Sequence, residues 1–277
     1  MNKDVTCGGI NLITFLMLTK NERNSIKALR HRENRRSEKL MVVEGNKGVE
    51  ELLHSGFETL RIYATSGFDI SIIKVLAEKK EVDIIVVSSK DMQIMSSLKS
   101  APGVLAVGKI KEVDASVVVE KMKNIDNNGI GTILILDDLS DPGNVGTLIR
   151  TANWFGLSGV ICSPKTVDVW NSKTIQSSMG SVFKIPICIA SPVEVLKEFK
   201  LKTVSLDSNG ENLYHSDFSP EALVIGSESH GVSADLAKAC NSSWAIPGSG
   251  IAESLNAALA GAIVTAELAR RSTIKEI

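Results

Sequence analysis

Three polar stretches in the second half of the chain carry the residue types best suited to chemistry. The first, LDDLSDPGNVGTLIRTANWFG at 136–156, follows an apolar run that is typical of a buried strand. Asn144 comes directly after a Pro-Gly turn, where an asparagine can cap a helix, and apolar residues then recur at helical spacing. Arg150 lies off that apolar stripe. It is either a solvated helix residue or a cation held at the carboxyl edge of a parallel sheet, where ligands bind in open α/β folds.

The second stretch, LVIGSESHGVS at 223–233, runs from an apolar strand into a turn that contains Gly226, Glu228 and Gly231. Glycines at the end of a strand allow the backbone to approach a ligand closely, or they simply form a tight turn. The residue types alone leave both interpretations open.

The third stretch, AIPGSGIAESLNAALAGAIVTAELARR at 245–271, predicts a strand that ends at Pro247, a glycine-containing loop, and a long helix that opens near Ser254. Its loop nearly matches the dinucleotide fingerprint G-x-G-x-x-G, but the third glycine is missing and too little chain remains for the partner acid. A phosphate loop is excluded as well, because GNVGTL (143–148) has no lysine before its threonine. These departures disfavour a nucleotide-dependent oxidoreductase.

Short apolar runs define the elements that must position these stretches. TILIL (132–136), GVIC (159–162), LVIG (223–226) and WAI (244–246) read as strands, and helical patterns separate them. Such runs predict a parallel sheet that helices cover on both faces. We assign this second unit to residues 130–277.

A smaller unit precedes it over residues 17–109, where helical patterns alternate with short β-branched strands. This alternation predicts a small α/β sandwich. The polar stretch at 110–129 reads as a linker, with room for a short helix. Residues 1–16 fit no element of the unit, and we interpret them as an upstream extension of a chain that begins at Met17.

Taken in order, the three polar stretches resemble the motifs of one enzyme family. An N-x-G-x-x-x-R helix start, a strand running into G-x-E, and I-P-x-x-G-x-x-x-S-L-N are typical of the SpoU/TrmH family of RNA ribose 2′-O-methyltransferases, of the SPOUT class. SPKTVDVWNSKTIQSSMGSVFKIPI (163–187) and LDSNGENLYHSDF (206–218) also look like segments of this family. In the first unit, VVEGNKGVEELLHSG (42–56) and SAPGVLAV (100–107) resemble the family's substrate-binding domain, which is similar to a ribosomal-protein RNA-binding fold. The resemblance implies an α/β fold with a trefoil knot in the parallel-sheet domain.

The resemblance also implies a reaction, in which S-adenosylmethionine donates a methyl group to a ribose 2′-hydroxyl. The expected catalytic residues, which match the family's polar set around the transferred methyl, are Asn144, Arg150, Glu228, Ser254 and Asn256. The expected cofactor-binding residues are Ser205, Gly226, Ile246, Pro247 and Leu255. Because a guanidinium is essentially never deprotonated in proteins, we expect Arg150 to bind the adjacent phosphate and to stabilise the developing alkoxide. The proton would then leave through the phosphate or water.

RNA binding is expected from the first unit. Between Lys20 and Lys39, eight Lys and Arg residues stand against three Glu residues. The arginines that we expect to neutralise RNA phosphates are Arg23, Arg30, Arg35 and Arg36. The alternative is that this segment is only a solvated helix face.

The expected partners follow from the resemblance and the two-domain layout. Ribosomal RNA is the first choice of substrate, and transfer RNA is the second. Knotted SPOUT domains normally pair, so we expect a homodimer with the C-terminal helix in its interface. An RNA-binding protein that keeps the fold without activity is the competing class, but the intact set of polar motif residues favours catalysis.

Composition indicates a globular protein. Of the 277 residues, 43% are apolar and 23% are charged, which excludes a disordered chain, and the net charge of −1 leaves RNA binding to local charge. The four cysteines (Cys7, Cys162, Cys188 and Cys240) show no C-x-x-C spacing, and the four histidines show no metal-ligand spacing. We therefore expect reduced thiols, a cytoplasmic location and no metal. The apolar run at 10–18 is too short to span a membrane.

Overall fold

The computed structural model describes residues 18–125, 129–249 and 254–273. The chain divides into two compact units, with the boundary after Lys109. None of the helices in the described ranges is both long enough and apolar enough to cross a membrane. The segment 1–16, interpreted as an upstream extension, lies outside the described residues.

The first unit is a mixed sheet with helices on both faces. In chain order its elements are α1 (Lys20–Ala28), α2 (Arg32–Glu38), β1 (Leu40–Glu44), α3 (Asn46–His54), β2 (Thr59–Thr65), α4 (Ser71–Lys80), β3 (Ile84–Val87), α5 (Ser89–Met95) and β4 (Val104–Lys109). The strand order is β1-β4-β2-β3, in which β4 is antiparallel to both neighbours and β2 is parallel to β3.

Strand alternation decides which helices cover each face of this first sheet. Val42 and Tyr63 pack into one cluster with the buried residues of α1 and α5. Val43 points to the opposite face, where α3 approaches so closely that a Cβ at Gly48 would lie 3.0 Å from its side chain. The small α/β sandwich expected from the sequence is therefore confirmed.

The second unit is built on a parallel sheet. Its elements are α6 (Ala115–Lys123), β5 (Ile133–Asp137), α7 (Pro142–Trp154), β6 (Gly159–Cys162), α8 (Ser172–Ser177), β7 (Ile187–Ile189), α9 (Pro192–Phe199), β8 (Thr203–Asn212), β9 (Ala222–Gly226), α10 (Ala234–Ala239), β10 (Ser242–Ala245) and α11 (Ala257–Thr273), with a short 3-10 turn at Ser181–Phe183. The six described strands are all parallel, in the order β10-β8-β9-β5-β6-β7. This arrangement agrees with the parallel sheet that the continuous apolar runs predict.

Helices bury both faces of this sheet. Ile133 and Val224 lie in a cluster that α6, α9 and α10 cover. Ile225 points to the other face, where α7 and α11 pack against each other. Gly261 of α11 permits that packing, because a Cβ there would lie 2.3 Å from the Leu148 side chain of α7 and 2.5 Å from that of Ile225.

The segment 110–129 differs from the linker that its polar composition predicts. Its helix α6 buries Val118, Val119 and Met122 in the core of the second unit. These apolar residues recur at helical spacing within a charged sequence, so a charge count conceals the buried side of the helix. The segment is thus a structural part of the second unit up to Ile125, where the described range ends.

Strand β8 contains an irregularity that its polar sequence explains. Ser243 of β10 pairs with Ser205, but the next residue, Trp244, pairs with Glu211, so the chain between them bulges out of the ladder. That bulge holds the polar residues Asp207 to Asn209, which are exposed. The trefoil knot stays a prediction of the resemblance, and the loop 250–253 before α11 lies outside the described residues.

Candidate active site

Helix α7 begins earlier than its apolar pattern indicates. Asp141 is the N-cap, its carboxylate accepts a hydrogen bond from the backbone N of Asn144 at 2.8 Å, and Pro142 occupies the first turn. The capping role expected for Asn144 is therefore wrong. Aspartate directly before proline was the available signal, since proline favours the first helical position. The Asn144 side chain is consequently free to serve the site.

Asn144 joins two other residues that the motifs single out. Its Nδ2 donates to Glu228 Oε1 at 2.6 Å, and its Oδ1 accepts from Asn256 Nδ2 at 3.0 Å. Glu228 lies in the turn after β9, and Asn256 immediately precedes α11. Three of the five expected catalytic residues are thus brought together. A carboxylate held in this way can accept a hydrogen bond from a hydroxyl or attract a cationic group.

Asn256 has a second role that fixes its position. Its Oδ1 accepts hydrogen bonds from the backbone N of Ala258 at 2.9 Å and of Leu259 at 3.2 Å, which is the geometry of a helix cap. Helix α11 therefore begins at Ala257, later than the opening near Ser254 that the sequence predicts. Ser254 itself is exposed. It takes no part in the hydrogen bonds that join Asn144, Glu228 and Asn256.

The turn that carries Glu228 depends on its glycines. Gly231 N donates to Ser227 O at 2.8 Å, and Gly231 has a φ of +67°, a conformation that side chains disfavour. A Cβ at Gly226 would lie 2.2 Å from the backbone of Gly231 and Val232. The need for a tight turn therefore explains both glycines, and the turn presents Glu228 at the end of β9.

The residues expected to bind the cofactor lie in or just after three adjacent strands and just before α11. Ser205 is buried inside β8 and pairs in register with Val224 of β9 and Ser243 of β10. Gly226 ends β9, Ile246 and Pro247 follow β10, and Leu255 precedes α11 with an exposed side chain. The sheet order places β8 between β9 and β10, so Ser205 lies in the strand between the two strand ends. Their assignment to a cofactor stays a prediction.

Arg150 lies apart from the cluster around Asn144. Six residues along a helix correspond to a rotation of about 240°, so the two side chains leave α7 in different directions. Arg150 is exposed, and it makes no hydrogen bond or ion pair with another residue in the described ranges. One turn later on the same face, Trp154 is 80% exposed. Arg150 is therefore available to a substrate or to a second protein molecule.

Comparison with known proteins assigns both units. The SpoU rRNA Methylase family matches residues 131–266, and the MRM3-like substrate binding domain matches residues 21–106. An uncharacterised tRNA/rRNA methyltransferase of Archaeoglobus fulgidus is 34% identical over 230 residues, which cover 80% of this chain and 96% of the relative. The chain belongs to the SpoU/TrmH family of RNA methyltransferases.

Two further similar proteins concern the reaction of this SpoU/TrmH-family enzyme. The 23S rRNA (guanosine(2553)-2′-O)-methyltransferase RlmP of Bacillus subtilis is 38% identical over 141 residues, which cover 49% of this chain and 57% of that protein. The crystal structure of an AdoMet-bound rRNA methyltransferase from Sinorhizobium meliloti matches with a TM-score of 0.78 and 26% identity, and covers 92% of this chain and 96% of that chain. The expected family, fold class and methyltransferase activity are confirmed, with S-adenosylmethionine as the methyl donor of this class of enzyme.

In the substrate-binding domain of this SpoU/TrmH-family enzyme, one of the four arginines expected to bind RNA is buried. Arg35 is only 4% exposed, and its guanidinium donates to the carbonyls of Leu29 at 2.6 Å and Arg30 at 2.8 Å. It therefore closes the connection between α1 and α2 and cannot meet RNA. A net charge counted along the sequence does not distinguish a buried guanidinium from an exposed one.

Two of the other three arginines also make contacts within the domain. Arg23 Nη1 donates to Asp91 Oδ1 at 2.6 Å, and Arg30 donates to the carbonyls of Ile94 and Ser96. These bonds tie α1 to α5 and the residues that follow it. Arg36 is exposed. Phosphate binding by Arg23, Arg30 and Arg36 stays a prediction.

The described ranges of this family member contain three of its four cysteines and no candidate metal site. Cys162, Cys188 and Cys240 are free thiols, and burial raises the pKa of Cys188 and of Cys240 to about 11. Within those ranges, no group of three or more His, Cys, Asp or Glu side chains could hold a metal ion. Cys7 lies outside the described residues.

Proposed function

We propose that this enzyme methylates the 2′-hydroxyl of a ribose in ribosomal RNA. The observation that carries the proposal is the hydrogen-bonded set of Asn144, Glu228 and Asn256, which joins three separate motifs at one edge of the parallel sheet. The similarity of the chain to RlmP, which is named as a 23S rRNA 2′-O-methyltransferase, supports both the ribose target and the ribosomal substrate. A transfer RNA ribose is the second candidate, which the tRNA/rRNA name of the Archaeoglobus relative favours.

The residues in and after β8, β9 and β10 fit S-adenosylmethionine. Gly226 permits the tight turn that follows β9, and Ile246 and Leu255 offer apolar surface for a nucleoside. These residues, with Ser205 and Pro247, would hold the cofactor, which supplies an electrophilic methyl group when it is bound. The task left to the chain is to align the ribose hydroxyl and to favour its ionised form.

The polar residues divide that task between them. Asn144, whose amide is itself oriented by Asn256, donates to the Glu228 carboxylate and holds it in one orientation. A guanidinium is essentially never deprotonated in proteins, so the role assigned to Arg150 is electrostatic stabilisation of the developing alkoxide and the neighbouring phosphate, and not acceptance of the proton. Ser254, exposed beside the cluster, is a further polar group for the substrate. The proton leaves through the phosphate or through water.

A second copy of the chain is the proposed occupant of the apolar face formed by α7 and α11. Trp154 of α7 is 80% exposed, Leu259 of α11 is 59% exposed, and Leu255 just before α11 is 49% exposed. The two helices pack against each other, so their exposed apolar side chains lie on adjoining elements. Arg150 shares the face of Trp154, and pairing of this kind would place it against the second copy. Sedimentation of the wild-type chain and of Trp154→Glu tests the pairing, and a monomeric wild-type chain would exclude it.

The test of the proposed substrate is a map of 2′-O-methyl groups. Ribosomal and transfer RNA from a deletion strain are incubated with the purified enzyme and S-adenosylmethionine, and modified nucleotides are located by their resistance to alkaline cleavage. Restoration of one ribosomal site is the expected result. A restored transfer RNA site would select the second candidate, and methylation of a base with no alkali-resistant site would contradict ribose methylation.

A further inference from the structure

A cavity of about 570 Å³ opens in the first unit, between its N-terminal helices and its sheet. This volume lies within the usual range for small-molecule pockets. Helices α1 and α2 form one wall and residues of β1, β2 and β4 form the other. Much of the wall is aliphatic, with Leu29, Leu40 and Leu60 among its residues. None of the residues named in the methylation site lies in this unit, so the reaction does not account for the cavity.

A polar network joins the α1 wall of the cavity to its sheet wall. Glu22 Oε1 accepts hydrogen bonds from Arg61 Nη1 at 2.8 Å and from the Tyr63 hydroxyl at 2.7 Å. Burial opposes ionisation of Glu22, but these hydrogen bonds outweigh it and lower its pKa, so the carboxylate stays charged. Arg61 Nε is buried and has no hydrogen-bond partner among the described residues, so it is out of reach of an occupant. The Arg61 side chain as a whole is 38% exposed and only its Nη1 is bonded to Glu22, so its outer nitrogens keep N–H donors for an acceptor on an occupant.

The other polar residues on the wall are Ser25, Asn34 and Glu38. Asn34 Nδ2 donates to Ala28 O at 2.8 Å, which leaves Asn34 Oδ1 as an acceptor and the second Nδ2 hydrogen as a donor. Glu38 is exposed and adds a second carboxylate. An occupant that presents N–H donors to the two carboxylates, an acceptor to Arg61 and flat apolar faces to the leucines therefore suits this wall.

We propose that this cavity binds the guanine base of an unpaired nucleotide in the RNA that the enzyme methylates. Guanine offers N1–H and the N2 amino group on one edge and the O6 and N7 acceptors on another, whereas uracil offers a single N–H and adenine and cytosine a single amino group. Unpaired RNA bases are commonly bound in this manner, splayed out and read along their edges. The proposal rests on RNA as the substrate of the enzyme but not on ribose as the methylated group.

The experiment titrates the full chain with guanosine 5′-monophosphate and, in parallel, with the adenosine, cytidine and uridine monophosphates, with binding followed by NMR shifts and calorimetry. The guanine nucleotide is expected to bind at least about tenfold more tightly than the others, the scale of one hydrogen bond to a charged group. Leu60→Trp, at a position 38% exposed on the cavity wall, should abolish that binding. Glu22→Gln should remove the preference for guanine.

The matched control is Val75→Trp, which adds the same side chain at a position of α4 that is 51% exposed and does not line the cavity. It should bind guanosine monophosphate as the wild-type chain does. Leu60→Trp should also raise the KM for RNA while kcat, cofactor affinity and melting temperature stay unchanged. No binding of the guanine nucleotide at millimolar concentration, or equal binding by Leu60→Trp, would overturn the proposal. Because the titration needs no methylation, its failure is distinct from failure of the proposed ribose target.

Discussion

Asn144 holds the centre of the polar cluster because its amide both donates and accepts. The Glu228 carboxylate accepts a hydrogen bond from Asn144 Nδ2, and Asn256 donates a hydrogen bond to Asn144 Oδ1. These two bonds fix the orientation of the amide, since a flipped amide would set acceptor against acceptor and donor against donor. A side chain of the same shape that only accepts should therefore fail at this position.

Replacement Asn144→Asp tests that argument. We expect the single-turnover methylation rate to fall by about two orders of magnitude, the scale of losing one preorganised polar group at a reaction centre. The change removes the Nδ2 donor and sets a second carboxylate beside Glu228. The melting temperature should change little, because Asp141 caps α7. Asn124→Asp, at an exposed position after α6, is the control, and a normal rate for Asn144→Asp would remove the amide from the mechanism.

Arg150 is expected to act on the transition state alone. Because the Arg150 side chain is exposed and makes no hydrogen bond or ion pair with another described residue, Arg150→Ala should leave the melting temperature and cofactor affinity nearly unchanged. The single-turnover rate should fall by about two orders of magnitude or more. Arg150→Lys should restore little, since an ammonium lacks the bidentate geometry of a guanidinium. Full activity of the lysine variant would show that charge alone suffices.

Among individual residues, the motifs predicted the site residues better than the contacts that stabilise the surrounding structure. The resemblance selected Asn144, Glu228 and Asn256, and the structure brings the three together because each lies in the first turn of an element or directly beside its end. It could not predict that Arg35 is buried, since the carbonyls that receive its hydrogen bonds belong to a helix end whose position depends on tertiary packing. The sequence also could not predict that Arg61 Nε is buried without a hydrogen-bond partner among the described residues.

Elements with a continuous apolar run were predicted well, and short or polar elements were not. Strands β5, β6 and β9 lie within about one residue of their apolar runs, because burial on both faces leaves no polar position. Strand β7 has three residues, and β8 has exposed polar residues in its second half, so neither gives a clear pattern. The seven-residue helix α5 was missed for the same reason.

The capping geometry of α7 gives a stability prediction. Asp141→Ala removes the carboxylate that accepts from Asn144 N and should lower the free energy of unfolding by about 1 kcal/mol. Ser140→Ala, at the neighbouring exposed position, should change it by a small fraction of that amount. Urea unfolding of both variants measures the difference. An equal loss in the two variants would contradict the assignment of the cap.

The basic helices α1 and α2 should show two different effects of charge removal. The exposed basic side chains here that make no hydrogen bond or ion pair with another described residue are Lys20, Lys27, Arg36 and Lys39. Changing these four to Gln should weaken RNA binding and reduce its salt dependence by about one unit of slope for each lost phosphate contact. Arg35→Gln should instead lower the melting temperature, because buried carbonyls lose their donor. An unchanged salt slope in the fourfold variant would show that the segment is only a solvated face.

The division of the whole chain assigns separate tasks to the two units. The boundary after Lys109 leaves each unit with its own sheet and its own buried cluster. The predicted methylation residues all belong to the second unit, and the basic helices and the cavity lined by Glu22 and Arg61 belong to the first. The two units can therefore be tested separately, provided that the cut respects α6.

A fragment of residues 110–277 should bind S-adenosylmethionine in calorimetry as the full chain does, and should lose salt-dependent RNA binding. A fragment of residues 130–277 should unfold readily, because it lacks the buried Val118, Val119 and Met122 of α6. At about 1.5–3 kcal/mol for each large apolar side chain, their loss approaches the whole stability of a typical domain. Equal melting temperatures for the two fragments would restore the linker interpretation of 110–129. RNA binding by 110–277 at the affinity of the full chain would instead contradict the assignment of substrate recognition to the first unit.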